Sequence, residues 1–457
     1  MYNGEVSNVF MCLVGSNPLP NYIVTDFLMS HEDKYRSYVP KPDIYYFIHT
    51  GKDGTEDYQK RIKRKVSDSN ICQGISLSDS RDAGKIINSL NNKLNKFIHD
   101  NNIKTIHLNY TGGTKPMAVL TYKWLQEQIN GTFELILSDI DPKNNKLNIM
   151  KDREKGSLSY ILNYDLTDII TIHIEDLLEL HGMKLINTNK NAEGQIDRYL
   201  NIERLSKEEQ WNRKQSFFTK CLKTNKETNE KKLKKILQVN KSLNDRKRNR
   251  EIGKPSKKDW KTKDKKELNN ELNQSFSEYM PNHLKETLEE YEEEKFAEIV
   301  GFFAGKWLEY YIYERIYKIL EKENLIDKMQ LYHSVNVDMK VDGHIRPAEI
   351  DIIAIKGYKL YYFTITTGKR IGVCKQKAFE GIFRARQLGG EHARVIGVNM
   401  MPNEAYNGNN ENYNRKLEAD LKSFKLESGE IDIIGYDDLA DSARLENKLY
   451  NILEIRR

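Results

Sequence analysis

Glu349, Ile350 and Asp351 stand within RPAEIDIIAIK, a run whose apolar residues predict a strand. Side chains on a strand alternate with period two, so Glu349 and Asp351 are expected on one face. Two carboxylates at the margin of an apolar core are one means of holding Mg2+ or Mn2+ for phosphodiester hydrolysis. Glu309, in the helix-patterned stretch FAEIVGFFAGKWLEYYIYERIYKIL, is a third candidate carboxylate. The plainer alternative leaves Glu349 in solvent and gives Asp351 a local hydrogen bond.

A second set lies near the N-terminus. NYTGGTKPMA, residues 109–118, follows the apolar residues Ile103, Ile106 and Leu108. Gly112 and Gly113 let the backbone come close to a neighbour. Thr111, Thr114 and Lys115 offer two hydroxyls and an ammonium, a set that suits a phosphate or a nucleotide. Gly15-Ser16-Asn17-Pro18-Leu19-Pro20-Asn21 follows the first apolar run in the same way. Neither loop reads GxGxxG or the Walker A pattern, which argues against dinucleotide and NTPase sites. The competing reading is two ordinary turns between strand and helix.

The elements that must position these residues are legible as patterns. Over residues 8–150, NVFMCLVG, DIYYFIHTG, KTIHLNYTGG and TFELILSDID read as buried strands. PLPNYIVTDFLM, IINSLNNKLNKFIHD and PMAVLTYKWLQEQ read as helices between them. Such alternation predicts an α/β, Rossmann-like domain with a parallel sheet, whose ligands sit beyond the carboxyl ends of the strands. Residues 156–294 are expected to connect, with a helix in IEDLLELHGMKLI and a charged, partly mobile helical insertion. From 295 to 457 the order helix, three strands, helix, strand predicts a second, mixed α/β domain.

Composition supports two or more domains in 457 residues. The net charge of +6 conceals an asymmetry. Residues 223–266 hold 18 Lys and Arg against 6 Asp and Glu, leaving the remainder of the chain acidic. That segment is either a solvated spacer or a basic arm for nucleic-acid phosphates. No apolar run reaches the ~18 residues a membrane span needs. MYNGEVSNVFMCLVG lacks the basic start and cleavage site of a secretion signal. Cys12, Cys72, Cys221 and Cys374 show no paired spacing for zinc or disulfides. The expected compartment is a reducing cytoplasm.

The order GKWLE on a helix, E-I-D on a strand, a hairpin and a further strand resembles the PD-(D/E)xK nuclease superfamily. With VGSNPLPN and NYTGGTKPMA upstream, the chain resembles the CARF-domain nucleases of type III CRISPR systems. The resemblance covers residues 1–155, as the CARF domain, and 295–457, as the restriction-endonuclease-like domain. It implies a homodimer that binds a cyclic oligoadenylate, cyclic tetra-adenylate foremost, and then cleaves DNA or RNA in antiviral defence. Gly15, Ser16, Asn17, Pro18, Asn21 and Thr111 to Lys115 would line the ring-binding cleft, with Asn17 and Asn21 as adenine or ribose contacts.

The same resemblance casts Glu309 and Asp351 as ligands of Mg2+ or Mn2+, with Glu349 beside them. One departure stands out. A typical member carries Glu-x-Lys on the next strand, where this chain has Thr364-Ile365-Thr366. Threonine supplies neither the charge of the carboxylate nor that of the lysine. Either the domain is degenerate and only binds nucleic acid, or the missing groups have moved. The candidates for a moved lysine are Lys375 and Lys377, at the start of the helix CKQKAFEGIFRARQLGG.

Overall fold

The computed structural model describes residues 6–455 with the following exceptions: 52–53, 130–132, 142–145, 154–156, 190–195, 198, 201, 228–278, 280–300, 342–343, 391–392, 403–412 and 424–430. Most of the basic segment, and with it the expected insertion, therefore lies outside the described residues.

Seven strands form the first sheet: β1 (Asn8–Leu13), β2 (Ile44–His49), β3 (Cys72–Ser76), β4 (Thr105–Asn109), β5 (Glu134–Asp141), β6 (Lys146–Arg153) and β7 (Ser157–Asp165). Their order is β3-β2-β1-β4-β5-β6-β7. The first five strands pair in parallel, as their continuous apolar runs require. The pairs β5–β6 and β6–β7 are antiparallel. The strand order reverses between β1 and β4, the crevice where open α/β sheets take ligands. Two helices start there: α1 (Leu19–Ser30) after β1, and α2 (Lys115–Gln128) after β4.

The stretch expected to connect the domains gives a strand to each sheet. β7 completes the first. Helix α3 (Ile174–Leu180) then leads into β8 (Met183–Asn189), an edge strand of the second sheet. That sheet has the order β13-β12-β11-β10-β9-β8, with β9 (Met329–Val341), β10 (His344–Lys356), β11 (Lys359–Ile365), β12 (Arg394–Val398) and β13 (Ile431–Ile434). The pairs from β8 to β11 are antiparallel, and β11, β12 and β13 run parallel. Helix α4 (Lys207–Glu227) and helix α5 (Trp307–Lys322) are followed in the chain by helix α6 (Ile371–Gly389), which packs on β11 and β12.

One core joins the two sheets. Phe10 and Tyr45 from the first, with Phe27 of α1, share a cluster with α3 and with Val335, Ile353 and Leu360 from the second. A separate core lies under α5 and includes Trp307, Ile312, Ile352 and Phe363.

β9 and β10 carry an irregularity. Ile350 and Val335 pack in the first of these cores, whereas Ile352 packs in the other. His333, opposite Ile352, packs on Tyr310 and Tyr313 of α5. The period-two alternation is broken between these pairs, at Ser334 and Asp351. Ser334 there has φ +47°, a left-handed conformation rare for a residue with a side chain.

Candidate functional site: a glycine-bearing sheet edge and a carboxylate cluster

At the switch point the two glycine loops pack against each other. A Cβ added to Gly112 would lie 2.1 Å from the Leu13 carbonyl oxygen, and one added to Gly15 would lie 2.9 Å from the Gly113 nitrogen. Gly113 has φ +76°, which favours glycine on its own account. The neighbour that the glycines admit is thus the opposite loop. Asn21 is wholly buried and its side-chain nitrogen donates to the Leu13 carbonyl at 2.9 Å, so it braces the loop.

The threonines are committed as well. Thr111 Oγ1 accepts from the Ile140 amide at 2.9 Å, which ties the loop to β5. Thr114 caps α2 by accepting from the Met117 amide, and donates to the Ser80 carbonyl at 2.7 Å. Pro18 is buried. Ser16 and Lys115 remain exposed beside the N-termini of α1 and α2, whose first amides give the edge a positive bias.

Asn17 links this edge to the rest of the molecule. Its Oδ1 accepts from the Leu19 amide at 3.1 Å and lies 3.1 Å from Nε2 of His181, just after α3. Burial holds the His181 imidazole down to about 4, hence neutral at physiological pH. The Asn17 amide nitrogen sits against Gly390, at the end of α6, so closely that an added Cβ there would be 2.0 Å away. Gly390 also has φ +64°.

The other end of α6 carries Lys377, whose charge acts on the carboxylates. Glu309 is in the first turn of α5, directly after a turn of π-helix, Phe302–Lys306. Burial pushes its carboxyl up to about 7, with Glu349 adding and Lys306 and Lys377 opposing. Asp351 is likewise raised to about 7 by burial and by the Glu309 charge, against Lys377 and the Ile365 amide. That amide donates to Asp351 Oδ2 at 2.6 Å. For Glu349, burial works upward but is outweighed by Lys306, 3.1 Å away, and by the Ser334 hydroxyl, so its carboxyl is lowered.

Of the two candidate lysines, Lys377 is among the charges that act on the cluster. Together with Thr364 and Thr366 it lines a small recess, and its charge acts on both Glu309 and Asp351. Lys375 reaches to Asp420 at 3.1 Å, on helix α7 (Tyr413–Lys422).

Lys306, His333 and Ser334 were not singled out from sequence. Lys306 was within reach, because three residues before Glu309 is one turn on the same helical face. His333 was not, because strict alternation places it with Val335, away from α5.

The donor set fits a hard divalent cation. Two carboxylates share one site with raised affinity for protons, and Glu309 Oε2 is buried without a hydrogen-bond partner. Mg2+ is commonly held by one or two carboxylates, with water completing its shell. Among the described residues, no three His, Cys, Asp or Glu side chains already converge on a metal-binding geometry.

Comparison with known proteins bears on the first sheet. Residues 9–165 match the family model described as the Card1 CARF domain. The whole fold is similar to that of protein VC1899 from Vibrio cholerae, at TM-score 0.55 and 15% identity, over 97% of this chain and 98% of that one. Can2 from Sulfobacillus thermosulfidooxidans, solved in complex with cyclic tetra-adenylate, aligns over 97% of both chains at TM-score 0.47 and 12% identity. A search of curated proteins gives no match. No described helix is long and apolar enough to cross a membrane. A strand order reversing between β1 and β4, with two glycine loops at the reversal, thus coincides with the span, residues 9–165, that is similar to the Card1 CARF domain.

Proposed function

We propose that this chain is a cyclic-oligoadenylate-activated, metal-dependent nuclease of type III CRISPR defence, acting as a homodimer on DNA, RNA or both. The observation that carries the reading is Lys377. It stands in the recess beside Thr364 and Thr366, where the nuclease pattern has lost its own lysine, and its charge acts on Glu309 and Asp351. This supports a cation supplied from the adjoining helix in place of the strand.

At the sheet edge, the exposed Ser16 and Lys115 and the helix N-termini suit the phosphates of a ring. A two-fold pair of such edges suits a ligand made of repeated AMP units. Asn17 and the braced loops set the shape of that edge. The cyclic tetra-adenylate ring is the favoured activator.

In the second domain, Glu309 and Asp351 would hold Mg2+ or Mn2+, which supplies polarisation of the scissile phosphate and acidifies an attacking water. Lys377 places a positive charge beside them and steadies the developing negative charge on phosphorus-bound oxygen. Lys306 holds Glu349 ionised, so that carboxylate is available as a proton acceptor. The buried setting excludes bulk water from Glu309 and strengthens each of these interactions.

The test is cleavage of labelled plasmid and single-stranded DNA and RNA with Mn2+, with and without cyclic tetra- and hexa-adenylate. Ring-dependent product that disappears in Asp351→Ala and Lys377→Met supports the reading. Ring binding and nucleic-acid binding with no product would instead make the chain a ligand-gated binder with a decayed site.

A further inference from the structure

On the strand beside β10, Asn336 stands directly opposite Glu349. Val335 and Val337, on either side of Asn336, pack toward the core shared by the two sheets, as do Ala348 and Ile350 beside Glu349. Side chains alternate along a strand, so Asn336 and Glu349 both face away from that core. Residues opposed in this way on one face have Cβ atoms about 4.5–5.5 Å apart. On the other side of β9, Asn336 pairs with Asn187 of β8, and the register slips on both sides of Asn187. Such irregularities re-aim a side chain and are over-represented next to active sites.

The two amides are fixed in direction. The Asn336 side-chain nitrogen donates to the Ser334 carbonyl at 3.2 Å and to Asn187 Oδ1 at 2.8 Å. A carbonyl only accepts, so the nitrogen of Asn336 must face Ser334, and the oxygen of Asn187 must then face Asn336. Both protons of the Asn336 amide are thereby used. Asn336 Oδ1 is left as an acceptor and the Asn187 nitrogen as a donor, neither of them bonded to another described residue. Asn187 is exposed, Asn336 is half-buried, and the Glu349 side chain is 42% exposed. Two and four residues before Glu349, on the same face, come the exposed Pro347 and Ile345. An acceptor beside a donor, bordered by open apolar surface, is the complement of a nucleobase edge.

We propose that Asn187 and Asn336 are a specificity-determining pair, which reads the base beside the phosphodiester cleaved at the carboxylates and selects adenine or cytosine. The assignment deepens the nuclease reading given above and rests on it. Glu349 decides the choice of base. Adenine and cytosine offer an amino group next to a ring-nitrogen acceptor, whereas guanine, thymine and uracil offer a carbonyl oxygen next to an N–H. A carboxylate opposite Asn336 attracts the amino group and repels the carbonyl oxygen. The amino group therefore goes to Asn336 Oδ1, and the ring nitrogen accepts from Asn187.

The experiment sequences the product ends from single-stranded oligonucleotides with a randomised core, cut by the full chain with Mn2+ and cyclic tetra-adenylate. Wild type is expected to favour adenine or cytosine beside the cut by about tenfold or more. Asn187→Ala and Asn336→Ala each bring that ratio toward parity. Asn187→Asp, which turns the outward donor into an acceptor, removes it. A loss of stability alone would lower cutting at all sequences alike and leave the ratio untouched. Cleavage without this preference in wild type, or with the preference unchanged in the variants, overturns the pair and leaves the nuclease reading standing. No product from any sequence overturns the nuclease reading, and affinity for oligo(dA), oligo(dC) and oligo(dT) then decides the pair. Equal binding overturns it as well, whereas tighter binding of the first two that Asn187→Ala abolishes upholds it.

Discussion

Glu309 and Asp351 are carboxyls raised to about 7 from ordinary values of 4.5 and 3.8. A raised folded-state value means that the folded protein binds the proton more tightly than the unfolded chain does. The associated stability is present below about pH 4 and is lost as pH rises through 7. Metal-free protein should therefore melt at progressively lower temperature between pH 4.5 and 8. Glu309→Gln should flatten that slope and stabilise the metal-free chain at pH 8 by on the order of 2 kcal/mol. Melting curves in chelator across this range check the point, and a steeper loss in the variant would contradict it. The lysines separate in the same residue-level manner. Lys377→Met should reduce ring-stimulated cleavage by about 10²-fold or more with Mn2+ binding retained. Lys375→Met removes a half-exposed pair with Asp420, worth about 0–1 kcal/mol, and should leave the rate nearly unchanged.

Helix α6 is the element that touches both sites. Lys377 near its start acts through its charge on Glu309 and Asp351, and Gly390 at its end is pressed against Asn17 of the glycine-bearing edge. A ring that displaces Asn17 would have to move the end of this helix, and a shift along a rigid helix reaches Lys377. Gly390→Ala introduces a side chain at positive φ and within 2.0 Å of the Asn17 amide nitrogen. The expected result is a stability loss on the order of 1–3 kcal/mol, with weakened ring binding and cleavage less dependent on the ring. Calorimetric titration with cyclic tetra-adenylate, beside the cleavage assay, reads both. Unchanged affinity and unchanged ring dependence would show that Asn17 and α6 are not coupled. Gly112→Ala, aimed at the Leu13 carbonyl, should abolish ring binding by forcing the two loops apart, whatever it does to cleavage.

At the scale of the molecule, a single apolar cluster runs from Phe10 and Tyr45 in the first sheet to Val335 and Leu360 in the second. Two sheets that share a core should unfold together. Scanning calorimetry is expected to give one transition, which a saturating ring moves upward as a unit. Two transitions, with only one shifted by the ring, would mean that the shared cluster does not bind the domains energetically.

The sequence alone determined the parallel first sheet, because strands buried on both faces are spelled as continuous apolar runs. It also located both polar loops, because glycine and proline punctuate a chain locally. The E-I-D strand and the glutamate-bearing helix were each legible as elements from local apolar patterns, and their pairing was expected from the resemblance alone. Tertiary structure alone decided what the loop glycines accommodate, since close approach between residues 15 and 113 leaves no local trace. It decided that β8 joins the second sheet, because pairing partners are chosen by long-range burial. It also decided that Asn21 braces while Asn17 links, that Lys375 pairs with Asp420 while the charge of Lys377 acts on Glu309 and Asp351, and that His333 turns toward Glu309. Those outcomes depend on helix rotation and on one broken alternation at Ser334, which period-two reasoning cannot anticipate.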